Sequence, residues 1–397
     1  MQNRHRAKAV RLALLPVLLG ISFLTRLPGG GSQSLAAAPS NNLVNSTEAV
    51  SAACDFKPTT IFSFPASVIG TRLPNIFTGG LSLGSNAVER LAWSADGKQI
   101  AGTGQSGTVT NIWTGAAGVS VATLRRGNTD ASEPSLALSG GKVLLPAPFA
   151  GKNSPLISVW DPSKVNSITD VSGPFRDMPW SSNRAAQFAV SERAGILVAR
   201  FGLNGPRTLA IYDLATLSFR REFPETSRFP IVYSNDIALS DDGTRVASAH
   251  ADGSVTIYDL PSGQPAINIT TSHPDVFRTS TSVAFSPQGE FIAASFVSNE
   301  SGSLIQIFNS RSGDLVAELT SKIRPVGDIQ WLNENSVAYL TGEKNLIVWI
   351  GPKIGQAPTT LKIASQVNSF SVSRDRKLIA VSENDFVMIA PTQPCLK

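Results

Sequence analysis

The chain has 397 residues, 42% hydrophobic and only 16% charged, with 32 Gly and 25 Pro; this supports a large core cut by many turns and excludes disorder over most of the length. Of the formal charge of +5, Arg4, Arg6, Lys8, Arg11 and Arg26 lie in the first 36 residues, which hold no Asp or Glu. The remainder balances 29 basic against 29 acidic groups, so no net field draws phosphates and nucleic acid is not an expected partner.

The first segment reads as an export signal. Arg4 to Arg11 precede an apolar run from Leu12 to Leu24, followed by a polar stretch in which Ser34-Leu35-Ala36 and Ala36-Ala37-Ala38 fit a small-x-small cleavage pattern. The run is shorter than the ~20 residues of a spanning helix. Residues 1–36 are therefore expected to be a signal peptide, 37–53 a flexible linker and 54–397 a single domain. The expected location is the periplasm or the exterior, with an uncleaved membrane anchor as the alternative. No other transmembrane span is expected.

A short apolar strand then recurs seven times: Leu91-Ala92-Trp93-Ser94, Leu136-Ala137-Leu138-Ser139, Phe188-Ala189-Val190-Ser191, Ile237-Ala238-Leu239-Ser240, Val283-Ala284-Phe285-Ser286, Ile329-Gln330-Trp331-Leu332 and Phe370-Ser371-Val372-Ser373. The spacing of about 41 to 52 residues is that of a four-stranded propeller blade. Turns such as Ala95-Asp96-Gly97, Asp241-Asp242-Gly243 and Pro287-Gln288-Gly289 follow, with Gly where positive φ is needed. A second strand comes next, as at Gln99-Ile100-Ala101 or Arg245-Val246-Ala247. A third ends in Trp113, Trp160, Tyr212, Tyr258, Phe308 or Trp349, and a fourth is clearest at Ala266-Ile267-Asn268-Ile269. The period-two alternation predicts strands, and no segment reads as a long amphipathic helix. The aromatic series predicts one core wedge per blade. The expected fold is all-β: a seven-bladed β-propeller of four-stranded antiparallel blades, closed into a ring so that no blade is left exposed at an end.

Ala251-Asp252-Gly253-Ser254-Val255-Thr256-Ile257-Tyr258-Asp259 resembles the centre of a WD repeat, and Val159-Trp160-Asp161 carries that family's Trp-Asp pair. The pair becomes Tyr212-Asp213, Tyr258-Asp259, Phe308-Asn309 and Trp349-Ile350 elsewhere, and the Gly-His pair that often opens such repeats is absent. The turn from Ser94 to Lys98 is also similar to periplasmic TolB-type propeller repeats. The resemblance covers about residues 86 to 395. It implies a propeller that binds a protein or peptide across one face of the ring.

Blade seven supplies only three strands from the C-terminal end, around Phe370–Val372, Leu378–Val381 and Phe386–Ile389. Its fourth strand is expected between Thr59 and Phe77. The chain has two cysteines, Cys54 just before that strand and Cys395 just after the third one. A disulfide between them would replace the turn that joins the last two strands of the other blades. A lipidated Cys54, from Ser51-Ala52-Ala53-Cys54, and two free thiols are the alternatives.

Catalytic signatures are sparse. Only His250 and His273 remain beyond the signal, and no Gly-x-Ser-x-Gly elbow, calcium loop or Cys-x-x-Cys pair occurs. His250 reads as a polar loop residue. Gly102-Thr103-Gly104-Gln105 reads as a blade turn rather than a phosphate cradle. No catalytic residue, metal ligand or cofactor is expected, although a hydrolytic site of lactonase kind or a redox site of quinoprotein-dehydrogenase kind in the central funnel is the alternative function. The connections into the innermost strands carry Phe175, Arg176, Trp180, Tyr233, Phe277, Arg278 and Arg324, residue types that dominate binding interfaces. They are the candidate binding face; the competing role for Phe175 and Trp180 is packing between blades. The leading expectation is a non-catalytic interaction scaffold outside the cytoplasm, of open oligomeric state.

Overall fold

The computed structural model describes residues 50–51, 58–63 and 88–392, except 105–108, 116, 126–134, 148–156, 165–167, 172–186, 202–207, 226–235, 251, 272–278, 299–301, 322–324, 352–358 and 385. Every described residue falls in one compact unit, Val44–Lys397. The signal peptide expected over 1–36 lies outside the described residues. So do most of the linker expected over 37–53 and both cysteines.

Two short strands come first, β1 (Val50–Ser51) and β2 (Thr60–Ser63). Blade one is β3 (Val88–Trp93), β4 (Gln99–Gly104), β5 (Val109–Thr114) and β6 (Ser120–Arg125); blade two is β7 (Ala137–Ser139), β8 (Lys142–Pro146), β9 (Ile157–Trp160) and β10 (Ile168–Val171). Blade three comprises β11 (Gln187–Ser191), β12 (Ile196–Phe201), β13 (Thr208–Asp213) and β14 (Phe219–Pro224). Blade four comprises β15 (Ile237–Leu239), β16 (Arg245–Ala249), β17 (Ser254–Asp259) and β18 (Gln264–Thr270). In blade five these are β19 (Thr279–Phe285), β20 (Phe291–Ser298), β21 (Gly302–Asn309) and β22 (Leu315–Ser321). Blade six has β23 (Pro325–Asn333), β24 (Ser336–Thr341), β25 (Leu346–Ile350) and β26 (Thr359–Ala364), and blade seven has β27 (Val367–Val372), β28 (Leu378–Glu383) and β29 (Phe386–Pro391). Within each blade the consecutive strands pair antiparallel as a meander. The seven-bladed expectation holds, and each recurring apolar quartet forms or borders an innermost strand.

Burial falls outward along each blade, which explains the sequence pattern. The third strands β5, β13 and β17 are buried on both faces over five residues, whereas the outermost β6, β14 and β18 bury one residue each, Leu124, Phe223 and Ile269. A middle strand lies between two neighbouring sheets and so reads as continuously apolar or small. The six aromatics at the ends of the third strands are all buried, as expected. Gly102 differs from its expected role as a turn residue: it lies within β4, where a Cβ would stand 2.8 Å from Trp113 Cζ3. The glycine makes room for the aromatic wedge.

The turn after the innermost strand is set by a repeated hydroxyl–carboxylate pair. Ser94, Ser240 and Ser373 donate to Asp96, Asp242 and Asp375 at 2.7, 2.6 and 2.7 Å. The same carboxylate oxygens accept the backbone N–H of Lys98, Thr244 and Lys377. Such local bonds favour turns over continued strand. Gly97 and Gly243 take φ of 68° and 67° in the first two, and Arg376 takes 60° in the third.

The chain's beginning completes the last blade. β2 pairs antiparallel with β29, Thr60 opposite Ile389 and Ser63 opposite Phe386, so the missing strand falls where the sequence placed it. β1 adds something further: it pairs parallel with β26, Val50 opposite Thr360, giving blade six a fifth strand. The seam between blades seven and one is tied by Trp93 Nε1 donating to Ser371 O and Ser382 Oγ donating to Val88 O, both at 3.0 Å. Apolar packing of Val88, Leu91, Trp93 and Trp113 against Ala380, Val387 and Ile389 fills it.

Candidate functional site

All seven innermost strands run the same way around a central channel. The face where they begin is called upper here and the face where they end lower. A cavity of about 420 Å³ lies in the channel, lined by residues of every innermost strand, including Ala92, Leu138, Val190, Leu239, Ala284, Trp331 and Val372. Its walls mix the apolar side chains of the recurring quartets with Ser94, Glu192, Gln330, Ser371, Arg374 and Arg376.

One position per blade makes a polar collar at the upper end. The residue just before each recurring quartet is Arg90, Ser135, Gln187, Asp236, Ser282, Asp328 or Ser369. Several of them bond across blades. Ser282 Oγ donates to Asp236 Oδ2 at 3.0 Å and accepts the Ile329 N–H at 3.2 Å. Arg90 Nη1 meets Asp328 Oδ1 at 2.5 Å, joining blades one and six past blade seven, where the equivalent Ser369 is small and buried. Asp328 holds φ of 45°, an uncommon conformation for a residue other than glycine.

Behind the collar Arg200 of β12 is buried, 6% exposed. It donates to Ser248 Oγ at 3.1 Å, to Ala249 O at 3.2 Å and to Gln187 Oε1. Ser248 Oγ in turn donates to Glu225. Burial pulls the Arg200 pKa down, while Glu225 and Asp236 push it back up. Asp236 is pushed up to about 6, first by burial and then by the neighbouring Asp328, against the opposing pull of Arg90 and the Ser282 hydroxyl. The site is a dense charged network shared by blades one, three, four, five and six.

At the lower end Arg374 of blade seven reaches Asp241 of blade four at 3.1 Å. These blades stand on opposite sides of the ring, so the pair spans the lower channel mouth.

The proposed binding residues Phe175, Arg176, Trp180, Tyr233, Phe277, Arg278 and Arg324 all lie outside the described residues. The segments that carry them enter blades three to six at Gln187, Asp236, Thr279 and Pro325, on the upper side. His250, expected as a polar loop residue, does precede β17, but it is buried (1% exposed), and its Nε2 lies 3.0 Å from Thr256 Oγ1. Among the described residues no group of three or more His, Cys, Asp or Glu could hold a metal ion, and no helix is long and apolar enough to cross a membrane. The collar was missed in the sequence reading. Its signal was present as a polar residue at one fixed offset before all seven quartets.

Seven antiparallel blades around one channel, the last completed by the chain's own start, define a β-propeller. Residues 226–259 match the family model of the WD40 repeat, described as WD domain, G-beta repeat, and the chain as a whole folds as a seven-bladed propeller. No curated protein matches it.

Proposed function

We propose that the protein is a non-catalytic interaction scaffold of WD-repeat type acting outside the cytoplasm, and that it captures a protein or peptide across its upper face. The observation that carries this reading is topological. The segments bearing Phe175, Arg176, Trp180, Tyr233, Phe277, Arg278 and Arg324 lead into the innermost strands of four consecutive blades, at the ends beside the polar collar. Aromatic and Arg side chains supply most of the energy in such interfaces, and the collar's charges would orient the ligand more than hold it. The N-terminal basic and apolar run supports export.

The test is affinity capture from the native host, using the exported protein and its Trp180→Ala/Arg278→Ala variant. The reading expects one stoichiometric protein partner, lost in the variant without a fall in Tm. A variant that loses thermal stability and keeps the partner would assign these side chains to packing between blades. A protein found wholly in the cytoplasm would overturn the assignment of compartment.

A further inference from the structure

We propose that the channel cavity binds a small free amine, an apolar body carrying one primary ammonium, with Glu192 as its counter-ion. The site lies below the collar: none of the seven collar residues lines the cavity. Its charged lining comes from the turns at the lower ends of the innermost strands, Glu192 after β11 and Arg374 and Arg376 after β27. The site is therefore separate from the upper face proposed to capture a protein, and it stands without that reading.

The bonding state of the lining groups selects the charge of the ligand. Gln330 is fully used, since Nε2 donates to Phe370 O at 3.1 Å and Oε1 accepts the Val372 N–H at 2.9 Å. Ser94 Oγ donates to Asp96 and accepts the Gln99 N–H. Each guanidinium already has an acceptor, Asp241 Oδ1 for Arg374 at 3.1 Å and Trp331 O for Arg376 at 2.6 Å. Glu192 differs. Its Oε1 is shielded from solvent and accepts no hydrogen bond among the described residues. A shielded carboxylate oxygen without a donor costs free energy that an N–H reaching it restores. A primary ammonium brings three such donors together with the balancing charge. A quaternary ammonium brings the charge alone.

Size and access set the rest of the ligand. The volume of about 420 Å³ falls within the roughly 300–1,000 Å³ of small-molecule sites. Leu138, Val190, Leu239, Ala284 and Val372 give it an apolar wall suited to a hydrocarbon or aromatic body. Ion pairs narrow both ends of the channel, Arg90–Asp328 above and Arg374–Asp241 below. The lower pair is the more exposed, 37% and 43% against 29% and 19%. Exposed pairs part at little cost, so entry is from below. A narrowed mouth favours a free small molecule over a side chain tethered to a protein.

The test is titration calorimetry of the full chain with phenethylamine as probe. The expected result is one amine per chain, weakened about tenfold or more by Glu192→Gln. Arg374→Gln should act in the opposite sense and tighten the amine by about threefold, because it removes a like charge and releases Asp241. Hydrocinnamate, the same shape as an anion, and the trimethylammonium analogue should each bind about tenfold more weakly than the amine. The Trp180→Ala/Arg278→Ala variant should bind the amine as the parent does, so a failure of partner capture leaves this site standing. No binding at millimolar amine would overturn the inference. So would unchanged affinity in Glu192→Gln, tighter binding of hydrocinnamate, or a lysine-containing peptide preferred to the free amine, which would give the site to a protein partner.

Discussion

Arg200 of blade three donates to Ser248 of blade four at 3.1 Å, and Ser248 passes the contact on to Glu225. The bond crosses the seam between two sheets otherwise held by apolar packing of Val198, Ile211 and Phe223 against Ile237, Val246 and Tyr258. A buried guanidinium costs several kcal/mol of desolvation, recovered through its acceptors and the nearby carboxylates. Arg200→Ala should therefore lower stability by about 3 kcal/mol, since it removes the cation that compensates Glu225 and Asp236. The urea midpoint measures this. A change below ~1 kcal/mol would mean that the network contributes nothing to the seam.

Tyr212 lies near the end of the third strand of blade three, fully buried, and its hydroxyl has no hydrogen-bond partner among the described residues. Burial pushes the phenol pKa up. A buried polar group without a partner costs about 1–3 kcal/mol, so Tyr212→Phe should be neutral or stabilise by up to ~1 kcal/mol while the ring keeps its edge contact with Phe219 at 5.9 Å. Thermal melting of the two proteins decides it; a clear loss of stability would show that the hydroxyl is satisfied by solvent.

These particulars show what could be read from the chain. The innermost strands were legible because the same apolar quartet returns at blade spacing, and the completing strand β2 because blade seven otherwise lacked one. Gly102 was misread because its purpose, space for Trp113, belongs to packing between adjacent strands. β1 has only two residues and no alternation, so its parallel pairing with β26 exists only in three dimensions. The collar was legible in register, but its ion pairs join residues as far apart as Arg90 and Asp328, which periodicity cannot connect. The loop residues chosen for binding followed from residue type alone.

Gly97 and Gly243 separate strain from overlap. They occupy the same position in the turns of blades one and four, with φ of 68° and 67°. Among the described residues a Cβ on Gly97 would meet nothing within 4 Å, whereas one on Gly243 would overlap Ala194 Cβ and stand 3.1 Å from Ile196 Cδ1. Gly97→Ala should cost only the left-handed backbone penalty, about 1–2 kcal/mol. Gly243→Ala adds forced movement of the neighbouring blade, about 1–3 kcal/mol more. Equal losses in denaturant melts would mean that the seam between blades three and four yields freely at this point.

Asp236 gives the fold a pH dependence of unusual sign. Its carboxyl faces Asp328, Arg90 and Arg200 and accepts from Ser282, and its pKa is pushed up to about 6 from an ordinary value of 3.8. Between these values the native state holds a proton that the unfolded chain has released, so stability should rise as pH falls from 7 towards 4. The turn carboxylates Asp96, Asp259 and Asp375 behave oppositely: the hydroxyls of Ser94, Ser262 and Ser373 hold them below the usual range. Their contribution is present above about pH 4 and is lost only as pH falls further, below the window where Asp236 acts. Asp236→Asn can still accept from the Ile237 N–H, which Asp236 Oδ1 does at 2.9 Å, and removes the charge. Tm of the parent should be higher at pH 5 than at pH 7.5, and the Asn variant should be more stable than the parent at pH 7.5 and lose most of that dependence. If the two proteins keep the same pH profile, the native Asp236 carboxyl ionises as readily as in the unfolded chain, and the collar gives the fold no pH dependence.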